Sequence, residues 1–213
     1  MSVRTTVHVM RHGEVYNPTK ILYGRIPGFR LSALGEQMAQ RAAEHFADND
    51  ITYVVSSPLE RAQQTATPVA VHHKLELATD INLIEADNVF EGQRVSVGDG
   101  VLRQPSAWRH LWNPFKPSWG EPYVDIAARM RVAIDAAREQ AFGHEAVVVS
   151  HQLPIWVARL DAEKRRFIHD PRTRECSLAS VTSFVFDDAK LVAVTYAEPS
   201  ADLVAISTRG VGA

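Results

Sequence analysis

A short apolar stretch, residues 5–10, ends at Arg11-His12-Gly13-Glu14, where the side chains become polar and reactive. The apolar stretch is typical of a buried strand, so the polar residues are expected at the carboxyl edge of a sheet, where ligands bind in α/β proteins. A neutral imidazole is a good nucleophile, and a guanidinium binds phosphate oxygens in pairs. Gly13 permits a sharp turn or close approach of the backbone to a ligand. We therefore expect His12 to attack phosphorus beside Arg11.

Two further apolar runs, residues 51–55 and 146–149, also end in small or reactive side chains. The first is followed by Ser57 and, in the opening turns of a predicted helix, by Arg61; the second is followed by Ser150-His151. Parallel strands place their carboxyl ends at one edge, so two histidines and two arginines are expected to meet in one pocket. This set suits a phosphoryl group, whose transfer mainly requires positioning and charge stabilisation. We expect neither a metal nor another cofactor.

A leaving alcohol needs a proton, which calls for a carboxylic acid near the site with a raised pKa. Five side chains are candidates: Glu14, Glu85, Asp87, Glu91 and Glu121. The position of Glu85, close behind a weaker predicted strand at residues 75–78, favours it. Reasoning from the residues alone leaves the choice open.

Alternating strands and helices predict the scaffold that would hold these residues. The order implies parallel strands with right-handed crossovers, hence a three-layer α/β/α sandwich with a mostly parallel sheet. Residues 178–186 and 191–197 alternate in part and predict an antiparallel pair at the edge. Residues 201–213 are expected to form a loose tail.

We expect residues 1–213 to form a single domain, with an irregular, cap-like insertion at about 80–120. The insertion contains Trp108, Trp112 and Trp119, and prolines interrupt any long helix there. The large aromatics suit packing or a substrate-gripping lid. The basic residues of the segment, Arg103, Arg109 and Lys116, suggest tolerance of a second anionic group.

Bulk composition limits the classes of function. A formal net charge of −2 implies no general attraction to nucleic acid or to an anionic membrane. The single cysteine excludes an intrachain disulfide and a cysteine-based metal site. No apolar run approaches the length of a membrane span, and no signal-peptide pattern is visible, so we expect a cytoplasmic protein. Nothing in the pattern indicates an oligomeric state.

The motifs together resemble those of the histidine phosphatase superfamily, which has the phosphoglycerate mutase-like fold. Arg11-His12-Gly13-Glu14 is similar to the signature of that family. The resemblance extends to four other segments, at residues 31–37, 56–66, 83–92 and 149–151. Single short motifs are weak, but several in the right order are specific.

The resemblance implies roles for the core residues. His12 would become a phosphohistidine, Arg11, Arg61 and His151 would clamp the phosphoryl group, and Glu85 would be the proton donor. Substrate contacts are expected at Asn17, Gly24, Arg25 and Gln152. The chain departs from the family pattern at Val15, which replaces a Thr or Ser, and at Asn17, which comes one residue early.

The resulting expectation is metal-independent hydrolysis of a small phosphomonoester through a phosphohistidine. One alternative is a phosphoglycerate mutase, although the chain between Glu85 and His151 is shorter than is usual in mutases of this family. The other alternative is a phospho-ligand binding module without turnover.

Overall fold

In a computed structural model, residues 2–94 and 120–207 are described, and they are built around one six-stranded sheet. The strands lie in the order β3-β2-β4-β1-β5-β6. Their bounds are β1 Arg4–Arg11, β2 Ile51–Ser56, β3 Leu77–Thr79, β4 Glu145–Ser150, β5 Val181–Asp187 and β6 Lys190–Ala197.

The sheet is parallel on one side and antiparallel on the other, as predicted. Strands β3, β2, β4 and β1 run parallel to one another, whereas β5 is antiparallel to β1 and β6 is antiparallel to β5. The chain from β1 to β4 forms crossovers through helices, and β5 and β6 are joined by a tight turn at Asp188–Ala189. The site-bearing strands therefore lie together in the parallel part.

Helices cover both faces of the sheet and produce the predicted three layers. The helices are α1 Ala33–His45, α2 Glu60–His73, α3 Tyr123–Gln140, α4 Gln152–Ala162 and α5 Ala201–Ile206. Helices α1 and α2 pack with Val147 and Val149 of β4, and α3 and α4 pack with Ala146 and Val148. This alternation follows from the two-residue period of a strand, and because both faces are covered β4 is apolar throughout its centre.

Local capping explains where α1 begins. Ser32 is the N-cap, because its hydroxyl accepts a hydrogen bond from the Gly35 backbone N–H at 3.0 Å. The expectation of a loose tail was wrong for residues 201–206, which form α5. The Ser200 backbone carbonyl accepts a hydrogen bond from Val204 at 2.9 Å and opens that helix.

The predicted cap-like insertion is described only in part. Residues 80–94 contain a short 3-10 helix, Ile81–Leu83, followed by irregular chain, and Gly120 forms an isolated bridge with Asn88. Residues 95–119, which carry Trp108, Trp112, Trp119 and the basic trio Arg103, Arg109 and Lys116, lie outside the described residues. Among the helices of residues 2–94 and 120–207, none is long and apolar enough to cross a membrane.

Candidate active site

Backbone hydrogen bonds join the carboxyl ends of β1, β2 and β4 directly. The His12 N–H donates to the Ser150 carbonyl at 3.1 Å, and the Ser57 N–H donates to the Val149 carbonyl at 2.8 Å. The register pairs Arg11 with Ser150. The reactive residues that follow these strands are therefore placed at one edge of the sheet.

The His12 imidazole is fully buried and held in one tautomer. Its Nδ1 lies 2.8 Å from the Gly13 carbonyl, which only accepts hydrogen bonds, so Nδ1 carries the proton and Nε2 has the lone pair. Burial lowers the pKa of His12 well below its ordinary value, and the nearby Arg61 and Arg11 charges lower it further. The imidazole is consequently neutral, which is the nucleophilic form.

Gly13 is required by a close backbone crossing. A Cβ at this position would lie 2.6 Å from the carbonyl oxygen of Gly35, near the start of α1. The Gly13 N–H donates to the Thr65 hydroxyl on α2 at 3.1 Å. The end of β1 is thereby held against both α1 and α2, so His12 starts from a rigid backbone.

Arg61 lies at the centre of the cluster and is buried. Its Nε donates to Nε2 of His12 at 3.3 Å, and its Nη2 lies 3.2 Å from Nδ1 of His151. Nη2 also donates to the Gly24 carbonyl at 2.7 Å. The guanidinium carbon lies 4.7 Å from the centre of the Tyr23 ring, a distance typical of a cation–π contact.

His151 is the second buried imidazole of the cluster, and its ring centre lies 5.1 Å from that of His12. Because its Nδ1 faces the Arg61 donor, its Nε2 carries the proton and donates to the Ser57 hydroxyl at 2.8 Å. Burial, followed by the Arg61 and His12 charges, lowers the pKa of His151 well below its ordinary value. Both imidazoles are thus neutral acceptors toward one guanidinium.

Arg11 completes this strand-end cluster, which we define as Arg11, His12, Arg61 and His151. Its Nη1 donates to the Cys176 carbonyl at 2.8 Å, in the segment that leads into β5. Its charge acts on both buried histidines, since it contributes to lowering the pKa of each. The cluster therefore contains two cations and two neutral imidazoles.

Glu85 is the carboxyl group that the structure brings beside the cluster. Its Oε1 accepts from the Ala86 N–H at 2.8 Å, whereas its Oε2 lies 3.9 Å from Nδ1 of His151 and has no hydrogen-bond partner among the described residues. The side chain is buried, and burial raises the pKa of Glu85 despite the opposing effects of the Ala86 hydrogen bond and of Arg61. A buried, protonated carboxyl group is suited to donating a proton.

Three of the other candidate acids have structural partners. Glu14 accepts from the Ser32 hydroxyl at 2.5 Å, and Glu91 accepts from the Arg25 N–H at 2.7 Å. Glu121 forms ion pairs with Arg25 at 3.0 Å and with Arg129 at 2.8 Å. The remaining candidate, Asp87, lines the cavity that adjoins Glu85.

That adjacent cavity is lined by Glu85, and no residue of the strand-end cluster is among its described lining residues. Its walls come from the loop after β1, from the described ends of the predicted insertion and from the segment after α4. Among the lining residues are Gly24, Glu85, Asp87, Tyr123, Leu153 and Arg174. A leaving group attached to a phosphoryl group in the strand-end cluster would extend into this cavity.

The four predicted substrate-binding residues have different surroundings. Gly24 lines the adjacent cavity, and its φ of +36° and the carboxylate of Glu91 leave no room for a side chain. Asn17 donates from Nδ2 to the Ile21 carbonyl at 2.8 Å within its own loop. Substrate binding by these residues stays a prediction.

Arg25 and Gln152 also have protein partners near the cavity. Arg25 donates from Nε to the Glu85 carbonyl at 2.7 Å, which places it behind the proposed acid. Gln152, at the start of α4, lies 3.4 Å from both the Cys176 carbonyl and Nη1 of Arg174. Both positions are close enough to shape the cavity indirectly.

Tyr23 and Ser57 contact the strand-end cluster, and Arg174 lines the adjacent cavity, although none of the three was predicted as a site residue. Tyr23 could have been identified from its position directly before Gly24. Ser57 could have been identified from the polar cluster after β2. Arg174 lies in an irregular segment beyond α4, and no periodicity or spacing in the sequence marks it. Only the folded chain brings it to the cavity.

Residues 2–94 and 120–207 contain no group of three or more His, Cys, Asp or Glu side chains placed to hold a metal ion.

The fold and the cluster define a class of α/β proteins with a histidine-bearing cationic site at the carboxyl edge of a parallel sheet. The sequence profile of the histidine phosphatase superfamily (branch 1) matches residues 7–199. The chain belongs to the histidine phosphatase superfamily.

Known relatives include proteins with different described activities. An uncharacterized Mycobacterium tuberculosis protein, Rv0525, is 58% identical over 201 residues, covering 94% of this chain and 100% of its own. The probable phosphoglycerate mutase GpmB of Proteus mirabilis is 30% identical over 186 residues, covering 82% and 83% of the two chains. The mycobacterial glucosyl-3-phosphoglycerate phosphatase Rv2419c has the same fold, with a TM-score of 0.70, 23% identity and coverage of 91% and 97%.

Proposed function

We propose that the protein is a metal-independent phosphomonoester hydrolase that acts on a small phosphorylated metabolite through a phosphohistidine. One observation carries the proposal: the lone pair of His12 Nε2 lies among Arg61, Arg11 and His151, and beside them lies Oε2 of buried Glu85, which has no hydrogen-bond partner in the described part of the chain. Nucleophile, charge stabilisation and proton source are thereby present in one place.

In the first step, Nε2 of His12 attacks phosphorus and forms a P–N bond while the ester P–O bond breaks. Burial raises the pKa of Glu85 and favours its acid form, which transfers its proton to the leaving oxygen and becomes a carboxylate. The Nδ1–H bond to the Gly13 carbonyl, 2.8 Å long, stabilises the positive charge that develops on the ring.

In the second step, water attacks the phosphorus of the phosphohistidine. The Glu85 carboxylate takes a proton from the water, the P–N bond breaks, and inorganic phosphate leaves with His12 and Glu85 restored. Arg11 and Arg61 hold the transferring oxygens in both steps, because guanidinium donors match the developing charge. His151 does so in the tautomer that carries its proton on Nδ1, with Nε2 then accepting from the Ser57 hydroxyl.

Arg61 is already oriented for this role. In the protein its Nε donates to His12 Nε2 at 3.3 Å, and its Nη2 contacts His151 Nδ1 at 3.2 Å. Phosphoryl oxygens would take over both guanidinium donors and free both imidazole nitrogens. Burial, helped by the positive charges of Arg61 and Arg11, lowers the pKa of His12 and so favours the neutral ring until it has attacked.

The decisive experiment traps the intermediate. The wild type, mixed with an aryl phosphate labelled in its phosphoryl group and quenched in alkali, should retain acid-labile label, and His12→Ala should lose the label and at least about 10⁴-fold of its activity. His8→Gln is the matched control, because His8 is in the same strand but contacts Ser183 and Glu145. Full labelling of His12→Ala would exclude the proposed mechanism.

A mutase is the second candidate, favoured by the 30% identity to the probable phosphoglycerate mutase GpmB. A mutase must return the phosphoryl group to a bound product rather than to water. Supplying 3-phosphoglycerate with and without its bisphosphate primer separates the two activities. Isomerisation faster than phosphate release would establish the mutase, whereas absence of both labelling and turnover would leave a binding module.

A further inference from the structure

Arg174 is a cation of the adjacent cavity that the proposed reaction does not use. It is half-buried in the segment after α4 and lines the cavity together with Glu85 and Gly24. It is therefore on the leaving-group side of the site, beyond the strand-end cluster.

Protein contacts orient the Arg174 guanidinium from one edge. His169 donates from Nδ1 to the Phe167 carbonyl at 2.6 Å, so its Nε2 has a lone pair and accepts from Nε of Arg174 at 2.8 Å. Burial, and to a smaller degree the Arg174 charge, lowers the pKa of His169 and favours this neutral acceptor. Nη1 has only a long contact, 3.4 Å, with Gln152 Oε1.

The charge of Arg174 is not balanced as are those of its neighbours. Arg25 and Arg129 both form ion pairs with Glu121, at 3.0 and 2.8 Å. Arg174 forms no ion pair with any carboxylate in residues 2–94 and 120–207. A partly desolvated cation that lacks a counter-ion is a favourable place for an anion to bind.

Hydrogen bonds through the Cys176 carbonyl and Gln152 also connect Arg174 to Arg11 of the strand-end cluster. Nη1 of Arg11 and Nε2 of Gln152 both donate to the Cys176 carbonyl, at 2.8 and 3.4 Å, and Gln152 Oε1 accepts from Arg174. Arg11 and Arg174 therefore flank one short polar bridge. A ligand with its phosphoryl group at Arg11 and a second anionic group a few bonds away would contact both.

We propose that Arg174, oriented by His169, binds a second anionic group on the leaving alcohol of the substrate. The inference rests on the proposed function and narrows its substrate class to phosphomonoesters that carry another anion. The planar fork of a guanidinium matches a carboxylate or a second phosphate.

A matched pair of substrates tests this subsite. 3-Phosphoglycerate and glycerol 3-phosphate differ in having a carboxylate or a hydroxymethyl group at the far end, and an aryl phosphate reports on phosphoryl transfer alone. We expect the wild type to prefer 3-phosphoglycerate in kcat/KM. The second matched pair is fructose 1,6-bisphosphate and fructose 6-phosphate. These two differ in one phosphate, so they test whether the subsite binds a second phosphate.

Arg174→Gln should lower kcat/KM for the preferred substrate with a second anionic group by about 10- to 100-fold. The loss should appear mainly in KM, because a hydrogen bond to a charged group is lost. Glycerol 3-phosphate and the aryl phosphate should change less than about twofold. Arg172→Gln is the matched control: Arg172 lies two residues away, is exposed and pairs with Asp170. His169→Ala should show the same selective effect at smaller size.

Each outcome bears on the proposal. Selective loss on 3-phosphoglycerate supports a carboxylate subsite, and selective loss on the bisphosphate supports a phosphate subsite. Equal loss on every substrate, no loss, or no wild-type preference in either arm would overturn the inference. If the wild type hydrolysed none of these substrates, the proposed function would fail while the subsite could still be tested. Calorimetry would then compare the binding of 3-phosphoglycerate and glycerol 3-phosphate, and the subsite would stand only if the wild type preferred 3-phosphoglycerate and Arg174→Gln removed that preference.

Discussion

The strand-end cluster and the adjacent cavity differ in how the chain places and neutralises their charges. Arg11, His12 and His151 follow two parallel strands directly, and Arg61 is in the first turn of a helix that begins just after a third. The cavity walls come mostly from loops, with Tyr123 of α3 and Leu153 of α4. Glu121 in these walls is held by side-chain contacts with Arg25 and Arg129.

Under the proposed function, the difference separates a cluster that would bind any phosphoryl group from a cavity that would select the substrate. Rigid strand ends suit the cluster, because the reacting atoms must be placed within fractions of an ångström. Loops tolerate change more readily, so the cavity can vary among relatives while the cluster keeps its chemistry. Variants in the cluster should therefore affect every substrate, and variants in the cavity should affect some substrates more than others.

Glu85 lies between the two regions, and its removal should produce the largest effect after loss of His12. Glu85→Gln should slow turnover of alkyl phosphates by about 10²- to 10⁴-fold, because no proton reaches the leaving oxygen. Aryl phosphates, whose leaving groups need no proton, should lose less in the first step. Steady-state rates across leaving groups of graded pKa are the measurement.

The pH profile sharpens this test. Because burial raises the pKa of Glu85, the acid form persists to higher pH, and turnover of alkyl phosphates should fall as pH rises through that pKa. Glu85→Gln should lose this limb. An unchanged rate on alkyl phosphates would transfer the acid role to another carboxylate, and Asp87→Asn is the comparison variant because Asp87 lines the same cavity.

Tyr23 tests whether the cluster depends on packing beneath Arg61. Tyr23→Leu removes the aromatic face 4.7 Å from the guanidinium and should lower kcat by roughly tenfold on all substrates, because a desolvated cation–π contact is worth about 1–2 kcal/mol. Tyr23→Phe keeps the ring and should retain most activity. Equal losses in both variants would assign the effect to the hydroxyl group instead.

Glu121 tests the cavity side of the comparison. Glu121→Gln weakens the ion pairs to Arg25 and Arg129 and should raise KM about three- to tenfold for substrates with large leaving groups, since partly exposed ion pairs contribute little each. Aryl phosphate kinetics should barely change. Glu163→Gln, which weakens pairs with Arg159 and Arg165 instead, is the control. A uniform fall in kcat would mean that Glu121 supports the cluster itself.

Glu85→Gln should also change stability, by the smallest amount of the series. The folded-state pKa of Glu85 is raised, so the wild type is penalised only above the unfolded pKa, and the penalty grows until pH passes the folded pKa. The variant should therefore melt roughly 2–4 °C above wild type at neutral pH and match it near pH 4. Calorimetry at several pH values measures this, and a difference independent of pH would contradict the linkage.

The sequence by itself determined the strand ends, because a buried strand must be apolar and the first polar residues after it mark the edge of the sheet. It therefore placed His12, Arg11 and His151 together and, with the helix that follows β2, Arg61. It also predicted the three-layer sandwich, since the order of periodic segments leaves few topologies. It could not foresee α5, whose six residues are too few for a clear helical period.

Only the tertiary structure decided which carboxyl group and which further cations lie beside the cluster. Glu14, Glu91 and Glu121 have the same chemistry as Glu85, and what distinguishes them is their partners: a hydroxyl, a backbone amide and two arginines. Arg174 has no motif, and it reaches the cavity because the segment after α4 folds back over the strand ends. Burial and partnership are properties of contacts between distant parts of the chain, so local sequence does not contain them.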